Sequence, residues 1–120
     1  MVAQKIAVVA LADPSTDHVR LFHAFVFAFE LKDSGIDTGL FLDGAAVKII
    51  DEIGKNPSDA IKPLYDRAMR EGMIKKACGF CANAFHIKDK IIQSKVSLTE
   101  DNDHVSMSGL VKDGYQIITI

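Results

Sequence analysis

Two thiols separated by two residues, Cys78 and Cys81 in "KKACGFCANAF", are the side chains of this sequence best suited to chemistry. Their spacing leaves four readings open: a redox couple, half of a metal site, a sulfur-handling nucleophile with a neighbour, or two small buried residues. Two cysteines cannot build a multi-bridge disulfide scaffold. A structural zinc ion needs four ligands, two more than the motif supplies. The histidines are His18, His23, His86 and His104. His86 lies five residues past Cys81, about a turn and a half along a helix, which is poor geometry for the same ion. His104 belongs to another loop and reaches only if that loop folds over. No metal ligand is therefore assigned. A thioredoxin-like couple is disfavoured by context, because that motif follows an early strand and no cis-proline candidate lies near the end of this chain.

The elements around the motif alternate. "KIAVVAL" (5–11) reads as a first strand and "ADPSTD" as a turn in which Asp13 caps and Pro14 opens a long helix over 17–32. "IDTGLFL" (36–42) is a second strand, and Asp43 caps a helix over "DGAAVKIIDEIGK". "NPSDAIKPLYDRAMREG" (56–72) is a third helix with Pro63 near its first turn. "MIKKAC" (73–78) is a third strand, "ANAFHIKDKII" (82–92) a helix, "KVSL" (95–98) a fourth strand, "DHVSMSGLVKDG" (103–114) a helix and "YQIITI" a fifth strand. Gly35, Gly72 and Gly114 each close a helix just before a strand. This is the pattern of a parallel α/β sheet covered by helices, in one domain over residues 1–120.

On that scaffold Cys78 ends the third strand and Cys81 sits in the first turn of the next helix. Open parallel sheets bind ligands outside the carboxyl ends of their strands. A helix N-terminus favours thiolate, the reactive form of cysteine. Gly79 lets the backbone pass close to whatever the sulfur holds, and Phe80 stands between the thiols. Asp13, Asp43 and Gly44 end or follow strands at the same edge, so they are candidate pocket residues; each reads equally well as a cap or turn. The best-formed pocket is expected to include Cys78 or the Gly79 backbone.

The long helix carries a surplus of apolar residues. On a wheel of ~100° per residue, Val19, Leu21, Phe22, Ala24, Phe25, Val26, Phe27, Ala28, Phe29 and Leu31 cover most of the circumference, leaving Arg20, His23 and Glu30 as a polar strip. One sheet face needs an arc of only ~100° or a little more. The surplus predicts a subunit contact through Phe22, Phe25 and Phe29.

Charge and composition exclude other classes. The formal net charge is −2, no Lys/Arg run exceeds Lys75-Lys76, and Trp is absent, so a nucleic-acid surface is not expected. The apolar start, Ile6 to Ala12, is too short for a signal segment, and nothing approaches a membrane span. A cytoplasmic protein follows, in which thiols stay reduced unless they have a task.

The segments "VVALADPSTDHVRLFHAFVFAFELKDSGIDTGLFLDGAAV", "IKKACGFCANAFHI" and the terminal "YQIITI" resemble the DsrE/DsrF-like family of small sulfur-relay proteins over nearly the whole chain. The Ala-Cys-Gly-x-Cys at the third strand is the most specific part. The resemblance implies a three-layer α/β/α fold with a five-stranded parallel sheet. It implies homo-oligomers, often trimers or hexamers, or hetero-hexamers with paralogues; a homotrimer or homohexamer with sulfur-donor and sulfur-acceptor partners is expected here, and no cofactor is assigned. It places the persulfide-carrying cysteine at Cys78. Where many relatives read Ala-Arg-Gly, this chain reads Ala84-Phe85-His86, so no anion-binding role is carried over to that position. The reading that follows is a cysteine-dependent sulfur carrier in which Cys78 accepts sulfur and Cys81 resolves it. Its rivals are an oligomeric small-ligand-binding module without catalysis and a zinc-stabilised domain.

Overall fold

A computed structural model describes residues 4–120; residues 1–3 of the expected domain lie outside the described residues. Four parallel strands, β1 (Lys5–Ala10), β2 (Asp37–Leu42), β3 (Ile74–Ala77) and β4 (Gln116–Thr119), pair in the order β3-β2-β1-β4. The helices are α1 (His18–Asp33), α2 (Ile49–Lys55), α3 (Lys62–Arg70), α4 (Gly79–Ala84), α5 (Lys88–Ser94) and α6 (Met107–Lys112), with a 3₁₀ turn over Gly44–Lys48 ahead of α2.

The central strands β1 and β2 are apolar on both faces, as a parallel sheet covered on both sides requires. Ile6, Val8, Ala10, Leu40 and Leu42 face the main core, to which α1 through α5 all contribute buried residues. On the opposite face Ala7, Val9 and Phe41 pack against Val105 and Leu110, with Tyr115 and Ile117 at the margin. The sheet is thus thickly covered on one side and thinly on the other. Gly35, Gly72 and Gly114 adopt the left-handed φ that ends a helix and releases the chain into a strand.

The α1 positions Leu21, Ala24, Phe25, Ala28 and Phe29 form an i, i+3, i+4, i+7, i+8 stripe and are buried within the chain itself. The expected subunit contact through this helix therefore cannot use Phe25 and Phe29. Phe25 and Phe29 are core, Phe22 packs beside it, and the Arg67 guanidinium lies 4.1 Å from the Phe29 ring centre. The apolar residues of α1 left outside are Val19 and Phe27.

Among the described residues the sheet has four strands, not the expected five. "KVSL" does not extend it. Lys95 turns the chain with a left-handed φ of 68°, and Leu98 makes a single parallel bridge to Ala77. Ala77 N–H donates to Ser97 O at 2.8 Å and Thr99 N–H donates to Ala77 O at 3.0 Å. There β3 ends and α4 begins, so the segment meets the edge strand only at its last residue. The expected helix over 82–92 is two helices, broken at Phe85–Ile87, where His86 has φ 58° and Ile87 N–H bonds back to Ala82 O. Asp13 does not cap α1, whose N-cap is Asp17; it closes the preceding turn by accepting from Ser15 N–H and Oγ–H at 2.8 Å.

Candidate functional site

β3 delivers Cys78 to the carboxyl edge of the sheet as the N-cap of α4, in extended conformation, with its Sγ accepting from Cys81 N–H at 3.3 Å. This is the role Ser or Asp plays at most helix starts, taken here by sulfur. The next strand end supplies Asp43, which caps the 3₁₀ turn by accepting from Gly44 N–H at 2.7 Å. Cys78 N–H donates to Leu42 O at 2.9 Å, so the two strand ends are tied directly.

The fourth group arrives from the chain beyond α5. Gly79 N–H donates to Thr99 Oγ1 at 2.8 Å, and Thr99 Oγ1 donates to Asp103 O at 2.7 Å. A Cβ on Gly79 would stand 2.3 Å from Thr99 O and 2.5 Å from Glu100 O, a separation no side chain tolerates. The bare Gly79 backbone therefore admits the 99–104 segment, not a ligand as expected. That segment lays His104 over the thiols, with Nδ1 3.4 Å from Cys78 Sγ and 3.7 Å from Asp43 Oδ1. Asp43 Oδ1 also accepts from Cys81 Sγ–H at 3.6 Å, and its Oδ2 from Val105 N–H at 3.3 Å. One donor atom from each of Asp43, Cys78, Cys81 and His104 lies within 4.8 Å of the others.

Both cysteines are free and buried, Cys78 without any exposed surface, whereas more than half of the His104 side chain is exposed. Burial pushes the Cys78 thiol up to about 12, and Asp43 adds to the rise against the favourable Cys81 N–H. Burial also raises Cys81, again with help from Asp43. The expectation of a resting thiolate is corrected accordingly: α4 has six residues, and its positive end does not offset desolvation beside a carboxylate.

The structure brings Asp43 and Gly44 to the cysteines, but not Asp13. Asp13 is at the end of β1, paired with Lys48 Nζ at 2.9 Å, and lines a separate groove of about 400 Å³ with Leu11, Thr16, Arg20 and Ile120. Phe80 is half exposed and tilts against the His104 ring at 4.8 Å between centres. The larger groove, about 690 Å³, opens on the thin side of the sheet between Phe41, Lys76, Glu100, His104 and Leu110. Neither Cys78 nor Gly79 lines it, contrary to expectation; His104 is the wall it shares with the thiol cluster. His104 is the residue that sequence reasoning left out of the site, and the glycine beside Cys78 was the available signal that another segment passes there. Among the described residues no helix is long and apolar enough to cross a membrane.

No protein-family profile matches this chain. It is 28% identical over 103 residues to the uncharacterized protein MJ0733 of Methanocaldococcus jannaschii, an alignment spanning 83% of this chain and 79% of that one. The structure superposes with a TM-score of 0.62 on a conserved protein of unknown function, BT1422 from Bacteroides thetaiotaomicron, at 17% identity over 95% of this chain and 94% of the other, which shows a shared fold.

Proposed function

We propose that this chain is a cysteine-dependent sulfur carrier of the DsrE/DsrF-like kind, with Cys78 as the sulfur-accepting residue. The observation that carries the reading is the Cys78–His104 pair: a nucleophile with an imidazole nitrogen 3.4 Å from its sulfur and a second thiol one helical turn on. The raised Cys78 pKa means that the resting group is a thiol. With Nδ1 unprotonated, His104 takes its proton as a donor docks. The thiolate then attacks the outer sulfur of a donor persulfide, forming the Cys78 S–S bond and releasing the donor as thiolate. In the second step Cys81 attacks the inner sulfur of the Cys78 persulfide, closing a Cys78–Cys81 disulfide and expelling hydrosulfide, or an acceptor thiol takes the outer sulfur instead. Because Cys78 has no exposed surface, the incoming sulfur enters by displacing the exposed His104 and Phe80 rings. Homotrimer or homohexamer assembly and docking with donor and acceptor proteins belong to the same proposal.

The test is intact-mass measurement after exposure of reduced protein to a low-molecular-weight persulfide. Cys81→Ser should gain one sulfur, the parent should gain one sulfur or lose two hydrogens as the Cys78–Cys81 disulfide closes, Cys78→Ser should gain none, and His104→Ala should gain it more slowly. A parent protein that stays unmodified ends the carrier reading.

A further inference from the structure

We propose that Asp43, Cys78, Cys81 and His104 together form a four-ligand site for a thiophilic divalent cation of the zinc class. The inference goes beyond the sulfur-carrier reading and does not depend on it. Two sulfurs, one imidazole nitrogen and one carboxylate oxygen are a donor set suited to a borderline-soft ion. Calcium and magnesium need six or more oxygens, which this cluster lacks.

Geometry is the stronger argument. Bonds of about 2.3 Å to sulfur and about 2.0–2.2 Å to nitrogen and oxygen, at tetrahedral angles, set neighbouring ligand atoms about 3.4–3.8 Å apart. The separations here are 3.4 Å between Cys78 Sγ and His104 Nδ1, 3.6 Å between Cys81 Sγ and Asp43 Oδ1, and 3.7 Å between His104 Nδ1 and that same Oδ1. Beyond these three pairs, all four donor atoms lie within 4.8 Å of one another, which a chain of pairwise hydrogen bonds does not require. The donors are also held from behind: Gly44 N–H and Val105 N–H fix the two Asp43 oxygens, and Cys81 N–H fixes the Cys78 sulfur. Such outer partners orient ligands before the ion arrives. The exposed His104 ring provides the way in.

Binding exchanges the two thiol protons for one ion, M²⁺ plus two R–SH giving M(SR)₂ plus two H⁺. A closed set of four protein ligands leaves no open position, as in structural rather than catalytic zinc sites. The ion and a persulfide therefore compete for Cys78, and a loaded site is a protected one.

The experiment uses untagged, reduced protein stripped of metal with a chelator. Titration with Co²⁺ should give one ion per chain, with thiolate-to-cobalt charge transfer and the intense visible bands of a tetrahedral complex. Zn²⁺ should displace the cobalt and Mg²⁺ should not. His104→Ala removes an exposed side chain that the core does not need, and Asp43→Asn keeps the shape of its site. Each should weaken Zn²⁺ binding by more than the ~10–100-fold typical of losing an outer partner. Absence of the cobalt spectrum, or affinity unchanged in both variants, overturns the proposal. Sulfur uptake measured by mass on metal-free protein is a separate readout. Uptake without a cobalt spectrum removes the cation site and leaves the carrier; a cobalt spectrum without uptake does the reverse.

Discussion

The carboxyl edge of the sheet has two halves, and they are built from opposite materials. At the ends of β1 and β4 the strand order reverses, which is where open α/β sheets usually collect ligands. The charged groups that line the groove there are already paired, Asp17 with Arg20 inside it and Asp13 with Lys48 behind it. At the ends of β2 and β3 the polar groups are buried, share hydrogen bonds and carry sulfur. Topology alone nominates the first half, while the donor chemistry stands in the second. A group in the buried half is held by several others and should be costly to change. A group in the exposed half exchanges a partner for water and should be cheap.

The largest break in that contrast is expected from Gly79→Ala. The added Cβ meets two backbone carbonyls, not the flexible end of a side chain. Either α4 or the 99–104 segment has to shift, and overpacking of this kind costs about 1–3 kcal/mol or more. Urea unfolding should show a lower midpoint, and the shift should carry His104 away from Cys78, so cobalt binding and sulfur uptake weaken together. A variant with parent stability and unchanged cobalt binding would mean that the clasp between Gly79 and Thr99 does not position the site.

Asp43→Asn comes next. The carboxylate accepts two backbone N–H bonds and one thiol. An amide in its place keeps one acceptor and turns two donors toward donors, so the loss should be about 1–3 kcal/mol. It also removes the charge that helps raise both thiols, although burial, the larger cause, persists. Alkylation by iodoacetamide at neutral pH should therefore quicken at Cys78 and Cys81 relative to the parent under native conditions. Slower or equal alkylation would show that Asp43 does not hold the thiols protonated.

What was legible beforehand follows the range of the interactions involved. β1, α1 and β2 announce themselves through local periodicity, and Pro63 in the first turn of α3 and the three helix-closing glycines are read from single residues. The gathering of Cys78, Cys81 and Asp43 follows from strand ends sharing an edge. His104 is 26 residues from Cys78, and its place depends on Thr99 bonding to Gly79 and Asp103, contacts no local pattern encodes. "KVSL" has strand-like composition, but the turn at Lys95 brings it to the edge strand only at Ala77, where β3 ends. The helical pattern over 82–92 is interrupted because Ile87 N–H reaches Ala82 O through the turn at His86. The wheel of α1 shows how much of the helix is apolar and not what covers it; α3 and the sheet together bury Phe25 and Phe29.

The smallest effect belongs to Asp13→Asn, which tests the exposed half. Asparagine still accepts from Ser15 N–H, so the turn survives and the substitution isolates the charge that faces Lys48. Lys48 and the Ser15 donors hold the Asp13 carboxyl down at about 2, below the usual carboxylate range. A displacement of that size would correspond to about 2 kcal/mol at ~1.4 kcal/mol per pKa unit. Solvent screening around this accessible pair should reduce it to about 1 kcal/mol or less. The sign is that of a depressed acid: the folded state binds the proton less readily than the unfolded chain. The contribution is thus complete above the unfolded pKa near 4 and is lost as pH falls through about 2. Thermal unfolding of parent and variant should differ slightly and constantly from about pH 5 to 7, then converge as the solution approaches pH 2. A difference as large as that of Asp43→Asn, or one that persists unchanged in acid, would show that the two halves of the edge do not differ in the way their burial implies.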